Sequence, residues 1–323
     1  MGGSTKQALL QALSAAEGAY ISGQQLAEAL GVSRAAVHKA AQALSAQGYA
    51  LDSAPRRGYR LAGGDPFCAE AVGPYPAPIH IYDTLQSSNL TAKQLALGGA
   101  PHGTLVLTAH QQAGRGRLGR RFESPAGKGV YLSLILRPAL SAADAQSATI
   151  SAAVAVARAV KALCGLELGI KWVNDLYYQG RKVCGILTEA ALDMESGMLD
   201  YAVLGLGFNI TAPPDGWPAE LQDVAGALFD DAPPPGARAA LAAAFLNEFW
   251  ALYHGVPKPE YLPEYRARQA LLGQTVTVTP RNGTPRKAEA LDIDEDCRLV
   301  VRFAGEHNSV PLRGEEVHLG KYL

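Results

Sequence analysis

Residues 170–189, IKWVNDLYYQGRKVCGILTE, decide how the middle of the chain folds. Short runs rich in apolar and β-branched residues alternate there with Asn174-Asp175 and Gln179-Gly180, which favour tight turns. Runs of this kind predict antiparallel strands. Further strands are predicted at 79–82, 104–108, 130–136 and 201–210, and a long Ala/Val-rich helix is predicted at 142–163. The centre of the chain is therefore predicted to be a mixed sheet packed with helices.

The first 62 residues predict a different module, made of three short helices and a hairpin. Ser22 and Gln25 form a capping-box pattern, Gly31 ends the second helix, and Ser33 can cap the third. This spacing predicts a winged helix-turn-helix, whose third helix enters the major groove of DNA. The alternative is a small helical module that only packs against its neighbour. The predicted DNA-binding residues are Ser33, Arg34, His38 and Lys39 on the third helix, with Arg56 and Arg57 at the wing tip.

The last fifty residues predict strands only, separated by turns such as Asn282-Gly283. They are predicted to form a small β-barrel or sandwich, and an SH3-like β-barrel is the fold class predicted for this segment. The overall class is α+β, with four predicted segments: a winged helix-turn-helix at 1–62, a Pro- and Gly-rich linker at 63–78, a central domain at 79–272 and a C-terminal β domain at 273–323.

Composition excludes several classes of protein. The 323 residues are 48% hydrophobic and 18% charged, which are globular values and exclude a mainly disordered or fibrous chain. Residues 1–62 carry six basic and three acidic side chains, which permits a nucleic-acid partner. The four cysteines form no CxxC pair, so we expect free thiols. Neither a signal peptide nor a long uninterrupted apolar run is evident, so we expect a cytoplasmic protein without a membrane partner.

The segment at 111–122, QQAGRGRLGRRF, carries the strongest signal of chemistry. It matches the dinucleotide fingerprint G-x-G-x-x-G, but Pro125, Gly127 and Gly129 hinder the helix that this fingerprint must open. It also lacks the Gly-Lys-Ser/Thr of a phosphate-binding loop. Its four arginines indicate a flexible loop that clamps a polyanion, either phosphates or nucleic acid. The alternative is an exposed basic loop without a ligand.

Lys171 stands at a predicted strand end beside the Asn174-Asp175 turn, where it can offer a cation to an oxyanion. A solvated strand lysine is an equally good interpretation of that spacing. No nucleophile elbow, ordered catalytic triad or HExxH motif is present in the sequence. Covalent catalysis and zinc hydrolysis therefore have no support.

The chain resembles the bifunctional biotin-protein ligases that also repress the biotin operon. The resemblance rests on GRGRLGR, KWVNDLYY, KVCGILTE and GLGFNI, preceded by LGVSRAAVHK and RRGYRL, in matching order. It implies a central domain of the biotin/lipoate ligase type and the activity of a biotin–[biotin carboxyl-carrier protein] ligase. Biotin would react with ATP to give biotinyl-5′-AMP, and a carrier lysine would then take the biotinyl group.

The resemblance also implies the residues of the site. Lys171, Arg117 and Arg115 are implied to be catalytic. Biotin is implied to contact Ser87, Ser88, Asn89, Gln111, Arg115, Gly116, Arg117, Lys171 and Gly185. ATP and the adenylate are implied to contact Arg117, Arg120, Arg121, Phe122, Lys171, Asn174, Asp175 and Asn209. Trp217 is a further candidate for packing over the adenine. Mg²⁺ is implied to be held mainly by the ATP phosphates, with Asp175 as a further ligand.

Three positions depart from the usual family pattern: Val173 stands for proline, Ser88 for threonine, and Phe208 for a smaller or β-branched residue. These changes concern the shape of the pocket more than its chemistry.

The implied partners are a biotin carboxyl carrier protein, such as an acetyl-CoA carboxylase subunit, operator DNA, and a second copy of the chain. Biotinyl-5′-AMP would act as corepressor by favouring the dimer. Two alternatives stay open: an effector-sensing transcription regulator without ligase activity, and a lipoate-type ligase.

Overall fold

The computed structural model describes residues 5–137, 145–192, 199–231, 233–234, 236–253, 259–280, 283–314 and 317–319. The chain divides into two compact units. One contains residues 1–75 and 232–243, and the other contains residues 76–231 and 244–323. The domain boundaries predicted at 62, 78 and 272 stay predictions.

The first unit is a winged helix-turn-helix, as predicted. Its three main helices enclose the fully buried side chains of Leu9, Leu13, Leu26, Val37 and Leu44. These apolar residues recur at helical spacing, so each helix turns one apolar face inward. Its elements are α1 (Thr5–Ala15), α2 (Gly23–Leu30), α3 (Arg34–Ala46), β1 (Tyr49–Ala54), β2 (Gly58–Gly64) and α4 (Ala69–Val72).

The caps of α2 and α3 form the turn between these two helices. Ser22 Oγ accepts from Gln25 N at 3.2 Å, and Gln25 Oε1 accepts from Ser22 N at 3.1 Å. Gly31 ends α2 at φ +64°, a left-handed conformation that favours glycine. Ser33 Oγ then accepts from Ala36 N at 3.1 Å and starts α3. The predicted helix limits thus follow from local hydrogen bonding.

The wing is the antiparallel pair of β1 and β2, which runs from Tyr49 opposite Gly64 to Ala54 opposite Gly58. Tyr59 also forms two backbone hydrogen bonds of 2.9 Å with Ile21, the residue before the α2 cap. The wing is therefore attached to the start of α2.

The second unit contains a seven-stranded sheet in the order β3-β4-β5-β9-β8-β7-β6. The β3–β4 pair is parallel and the other pairs are antiparallel, so the sheet is mixed as predicted. The strands are β3 (Ile79–Tyr82), β4 (Leu105–Thr108), β5 (Gly129–Leu136), β6 (Gly169–Lys171), β7 (Asp175–Tyr178), β8 (Arg181–Leu192) and β9 (Leu199–Asn209).

Helices cover the sheet and bury the whole of strand β5. Helix α5 (Ser88–Leu97) packs on β4, β5 and β9, whereas α6 (Ala145–Cys164) packs on β7, β8 and β9. Every residue of β5 is buried, which explains its continuous apolar sequence. Phe208 on β9 packs against Phe245 of α7 (Ala237–Leu252), with ring centroids 6.3 Å apart. A short helix, α8 (Leu262–Ala267), follows.

Helix α6 is long and apolar enough over Gln146–Cys164 to cross a membrane by composition alone. However, 67% of that window is buried inside the protein, which is typical of a core helix. The helix is this apolar because it fills the core of the protein.

The C-terminal strands form a five-stranded antiparallel sheet in the order β13-β12-β11-β10-β14. Within the described residues no pairing joins β13 to β14, so the predicted SH3-like barrel is not closed. Pro311 offers no backbone N–H on β13, which suits an edge strand. The strands are β10 (Thr275–Pro280), β11 (Arg286–Ile293), β12 (Leu299–Phe303), β13 (Ser309–Leu312) and β14 (Val317–Leu319).

Candidate functional site

A cavity of about 440 Å³ opens on the seven-stranded sheet. Its walls are the start of α5, the loop at 111–123, strands β6 to β9 and the segment at 217–225. This volume suits a small-molecule ligand. The two ends of the cavity differ in charge.

The neutral end of the cavity consists of Ser87, Ser88, Asn89 and Gln111, all of which are buried. Gln111 Oε1 accepts from Ser88 N at 2.8 Å, and Gln111 Nε2 donates to Ser124 Oγ at 2.9 Å. These bonds fix both the oxygen and the nitrogen of the Gln111 amide. The neutral end is therefore a rigid set of uncharged hydrogen-bonding groups.

A second layer of polar groups lies behind the neutral end. Ser133 Oγ on β5 lies 2.6 Å from Asn89 Oδ1 and 2.8 Å from Ser88 Oγ. Asn89 Nδ2 donates to Glu189 Oε2 at 2.9 Å, and Lys93 Nζ pairs with Glu189 Oε1 at 2.5 Å. Burial opposes ionisation of Glu189, but hydrogen bonds from Lys93 and Asn89 outweigh it and hold the pKa of this carboxyl below its ordinary value.

The cationic end of the cavity lies around the loop at 111–123 and strands β6 to β8. Lys182 Nζ forms an ion pair of 2.7 Å with Asp175 Oδ1. Burial lowers the pKa of Lys171; Asp175 opposes this shift, whereas Lys182 and Arg120 add to it. Cations held this close repel one another, so a bound anion would stabilise them. The cations of the cavity are Arg115, Arg117, Arg120, Arg121, Lys171 and Lys182, of which Arg115 lies near enough to Glu189 to help lower the pKa of that carboxyl.

The Gly/Arg loop folds back on itself and opens no helix longer than one turn. Gly116 N donates to Arg120 O at 2.7 Å, and Phe122 N donates to Gly114 O at 2.9 Å. A single 3-10 turn at Arg117–Gly119 is the helical structure within it. The dinucleotide interpretation of the fingerprint is thus excluded by geometry, as the sequence indicated.

Arg117 connects the loop to two other parts of the second unit. Its Nη1 donates to Asn174 Oδ1 at 3.0 Å, and its Nη2 donates to Gly314 O. Asn174 is itself held by Nδ2, which donates to Ile186 O at 2.7 Å. The guanidinium therefore fixes the loop over the cavity.

The Phe122 ring lies directly against two strands because glycines leave room for it. A Cβ at Gly207 on β9 would collide with the ring, and a Cβ at Gly185 on β8 would lie 3.1 Å from Phe122 Cε2. Lys182 Nζ lies 5.6 Å from the ring centroid. Trp217 also lines the cavity. The Phe122 ring thus borders the cationic end beside Lys182.

The first unit presents a separate basic surface. Arg34, His38 and Lys39 on α3 are exposed, and so are Arg56 and Arg57 at the wing tip. The sixth predicted residue, Ser33, is the cap of α3 described above. A helix with exposed basic residues beside a basic wing is the geometry by which a helix-turn-helix contacts DNA.

Two contacts connect this basic surface to the wing. His38 Nδ1 lies 3.0 Å from Tyr59 Oη on β2. The Tyr20 ring carries the Arg57 guanidinium 4.1 Å and the Arg60 guanidinium 5.0 Å from its centroid. The His38 contact joins the third helix to the wing, and the Tyr20 contacts join the wing to the segment before α2.

The comparison with known proteins agrees with both sites. The Biotin/lipoate A/B protein ligase family matches residues 82–209, and a helix-turn-helix domain family matches residues 5–60. The bifunctional ligase/repressor BirA of Bacillus subtilis is 34% identical over 305 residues, which cover 91% of this chain and 92% of that protein. The chain belongs to this family of bifunctional ligase/repressors.

Other relatives agree with this assignment. The biotin–[acetyl-CoA-carboxylase] ligase of Mycobacterium tuberculosis is 31% identical, over 72% of this chain and 86% of that protein. Biotin protein ligase from Aquifex aeolicus, solved in complex with biotin and ATP, has a TM-score of 0.61 at 20% identity, over 76% of this chain and 99% of that one. This ligase/repressor therefore has the ligase fold, joined to a helix-turn-helix module.

The cavity of this ligase/repressor brings together all the residues that the sequence assigned to biotin and ATP. Ser87, Ser88, Asn89, Gln111, Arg115, Gly116, Arg117, Arg120, Arg121, Phe122, Lys171, Asn174, Asp175, Gly185 and Asn209 all line it. Their individual roles stay predictions. The six predicted DNA-binding residues lie in the other unit and form a separate surface.

Sequence analysis assigned no role to several residues of the site. Lys182 lines the cavity beside Asp175, and its signal was its place at the start of KVCGILTE. Gly205 and Gly207 alternate on β9, where GLG marks close approach of other groups. Ser133 and Glu189 carried no signal of their own. They were missed because only the folded sheet brings them behind Asn89.

Proposed function

We propose that this chain binds biotin with its ureido ring at the neutral end of the cavity and its carboxylate toward the cationic end. The observation that carries this orientation is the separation of uncharged hydrogen-bonding groups from cations within one cavity. Biotin has the same polarity, because a neutral cyclic urea lies at one end of the molecule and a carboxylate at the other. ATP would occupy the remainder, with its adenine between Phe122 and Trp217.

The first reaction is attack of a biotin carboxylate oxygen on the α-phosphorus of ATP. A bond forms between this oxygen and phosphorus, the bond from the α-phosphorus to the bridging oxygen breaks, and pyrophosphate leaves. Carboxylate and phosphates are mutually repelling anions, so the chain's work is to bring them together. Lys171 and Arg117 supply fixed positive charge where it is needed, which lowers the barrier by electrostatic stabilisation and positioning.

The second reaction is attack of a lysine amine of the biotin carboxyl carrier protein on the biotinyl carbonyl carbon. An amide bond forms, the amine loses a proton, and AMP leaves. No nucleophile of the ligase is required, in agreement with the lack of a triad in the sequence. Closure of the Gly/Arg loop would protect the mixed anhydride from water until the carrier arrives.

The residues present fit a magnesium ion that is held mainly by ATP. No group of three or more His, Cys, Asp and Glu side chains that could hold a metal occurs in the described part of the chain. However, Asn209 Oδ1 is a buried acceptor without a hydrogen-bond partner among the described residues, and Asp175, which forms an ion pair with Lys182, lines the same cavity. Mg²⁺ usually combines one or two such oxygens with phosphates and water. Bound there, it would neutralise charge on the pyrophosphate group.

The test of the ligase proposal is the intact mass of a biotin carboxyl carrier domain after incubation with the full chain, biotin and MgATP. We expect a gain of one biotinyl group that requires all three small components. Replacing biotin with lipoate separates the lipoate-type ligase, which would label a lipoyl domain instead. Biotin binding without any mass shift would favour a sensor that lacks ligase activity.

We also propose that the first unit binds operator DNA when two copies of the chain associate. A single module with a net charge of +3 over residues 1–62 binds DNA weakly, so pairing two modules would raise the affinity through effective concentration. Biotinyl-5′-AMP, held in the cavity when carrier is scarce, would favour that dimer. The four free cysteines suit the reducing cytoplasm, where this regulation would operate.

An operator titration with and without biotin plus ATP tests this switch. We expect tighter and steeper binding when the adenylate forms, and loss of binding in Arg34→Ala. Equal affinity under both conditions contradicts the switch but leaves the ligase proposal intact.

A further inference from the structure

The two amide groups at the neutral end have a fixed orientation. Asn89 Nδ2 donates to Glu189 Oε2 at 2.9 Å and to Leu187 O at 3.2 Å. Both are acceptors only, because the Glu189 carboxyl is ionised and Leu187 contributes a carbonyl oxygen. Asn89 Oδ1 must therefore face Ser133. Gln111 Oε1 is fixed as an acceptor in the same way, because Ser88 N can only donate to it.

Fixed amides determine where the hydroxyl protons lie. Ser133 has one proton, and at 2.6 Å from Asn89 Oδ1 it must donate there, since two acceptors at that distance repel. Ser133 Oγ is then left to accept from Ser88 Oγ, which lies 2.8 Å away. The only other internal acceptor near Ser88 Oγ in the described structure is Gln111 Oε1, at 3.1 Å. In either arrangement the Ser88 proton stays inside the protein.

We propose that Glu189, held by Lys93, acts through Asn89 and Ser133 to make Ser88 an obligate hydrogen-bond acceptor toward the ligand. Ser88 presents a lone pair to the cavity, so the ligand must offer an N–H at that point. Glu189 is thus a positioning residue that sets the specificity of the neutral end without touching the ligand. This inference rests on the proposed binding of the biotin ureido ring there.

The arrangement selects biotin over a lipoyl-type acid for a physical reason. A cyclic urea supplies N–H donors, whereas a dithiolane ring supplies none and would leave the buried lone pair of Ser88 without a partner. The discrimination depends on Glu189 as an anion. A neutral amide in its place could donate to Asn89, so that only the Leu187 carbonyl would still oppose the reversed Asn89 amide, and the direction of the protons from Asn89 to Ser88 would be less firmly fixed.

The experiment compares biotin with its two cyclic carbamate analogues, in each of which one ureido N–H is replaced by a ring oxygen. Dissociation constants are measured by calorimetry on the full chain. For the wild type we expect one of the two analogues to bind at least about tenfold more weakly than biotin, because it presents oxygen to a lone pair. In Glu189→Gln this preference for biotin over that analogue should shrink several-fold.

A second test variant and a matched control accompany Glu189→Gln. Ser133→Ala removes the acceptor behind Ser88 and should also reduce the preference. The matched control is Glu289→Gln, which removes a carboxylate from a strand ion pair with Arg302 of the same 2.5 Å length and should leave the preference unchanged. ATP affinity should not change in any variant, which separates this effect from general loss of structure.

An unchanged ratio in both Glu189→Gln and Ser133→Ala, with biotin still bound, overturns the relay and leaves the proposed function standing. Absence of biotin binding by the wild type overturns the proposed function itself.

Discussion

The two ends of the cavity are built on opposite physical principles. At the neutral end, the amides of Asn89 and Gln111 and the hydroxyl of Ser88 have protein partners, so this end is shaped before the ligand arrives. At the cationic end, Lys171, Lys182 and Arg120 lie close enough that their charges disfavour one another. The neutral end holds a fixed pattern of donors and acceptors, whereas the cationic end carries positive charge that is stabilised when anions bind.

This difference indicates how recognition and reaction are divided. The neutral end selects the substrate because hydrogen bonds within the protein already fix which of its groups donate and which accept. The cationic end lowers the barrier because its charge is held in place before the carboxylate and phosphates meet. Changes at the neutral end should therefore act on biotin affinity, and changes at the cationic end on the reaction and on ATP.

The largest expected effect comes from Lys171→Ala. Loss of a fixed cation at the reacting carboxylate and phosphate should slow biotinyl-5′-AMP formation by about 10²–10³-fold. Biotin affinity, which depends mainly on the neutral end, should change much less. Pyrophosphate release measures the reaction, and calorimetry measures biotin binding. Lys161→Ala is the control, because Lys161 pairs with Glu167 and does not line the cavity. A reaction rate in Lys171→Ala close to that of the wild type would contradict the assignment.

The next largest effect comes from a matched pair of glycine substitutions on β9. A Cβ at Gly205 would collide with the Asn89 carboxamide, whereas a Cβ at Gly207 would collide with the Phe122 ring. Gly205→Ala should raise the KM for biotin, and Gly207→Ala the KM for ATP, each by about tenfold. The two variants differ by two positions in one strand, so each is the other's control. Steady-state kinetics that showed both KM values rising together in both variants would indicate general damage to the strand.

Much of the cationic end could be predicted from sequence, because its signals are local. The sequence alone shows four arginines among glycines within seven residues, and it shows a lysine beside an Asn-Asp turn. Both patterns can be recognised without the fold. The helix limits of the first unit were also predictable, since Ser22, Gly31 and Ser33 act on their immediate neighbours.

The second layer of the neutral end could not be predicted. Glu189 and Asn89 are 100 positions apart, and Ser133 is 44 from Asn89, so only the pairing of β5, β8 and β9 brings them together. The closed C-terminal barrel was expected from a run of four short strands separated by turns. The strand count gave no information on whether the edges β13 and β14 would pair.

A smaller effect is expected from Arg117→Gly. The guanidinium fixes the Gly/Arg loop to Asn174 and to the Gly314 carbonyl, so its loss should loosen the loop and release biotinyl-5′-AMP. We expect a several-fold increase in biotin attached to bystander proteins, measured with labelled biotin and albumin. Leu118→Gly is the control within the loop. Leu118 is exposed and has φ +57°, a conformation that glycine adopts without strain, so the Arg117 contacts should remain. Equal bystander labelling by both variants would show that loop flexibility, and not the Arg117 anchor, controls release.

The smallest effect is an uptake of protons when the anionic ligands bind at alkaline pH. Burial lowers the pKa of Lys171 in the free protein, so a larger fraction of this lysine is neutral at alkaline pH than of an ordinary lysine. A bound carboxylate and phosphates favour the ammonium form and raise that pKa, so binding must take up a fraction of a proton. At lower pH the lysine is charged in both states, and the uptake disappears. Calorimetry in buffers with different ionisation enthalpies measures this fraction. Lys171→Arg should abolish it, because a guanidinium stays charged throughout; uptake that persists in that variant would assign the proton to another group of the cationic end.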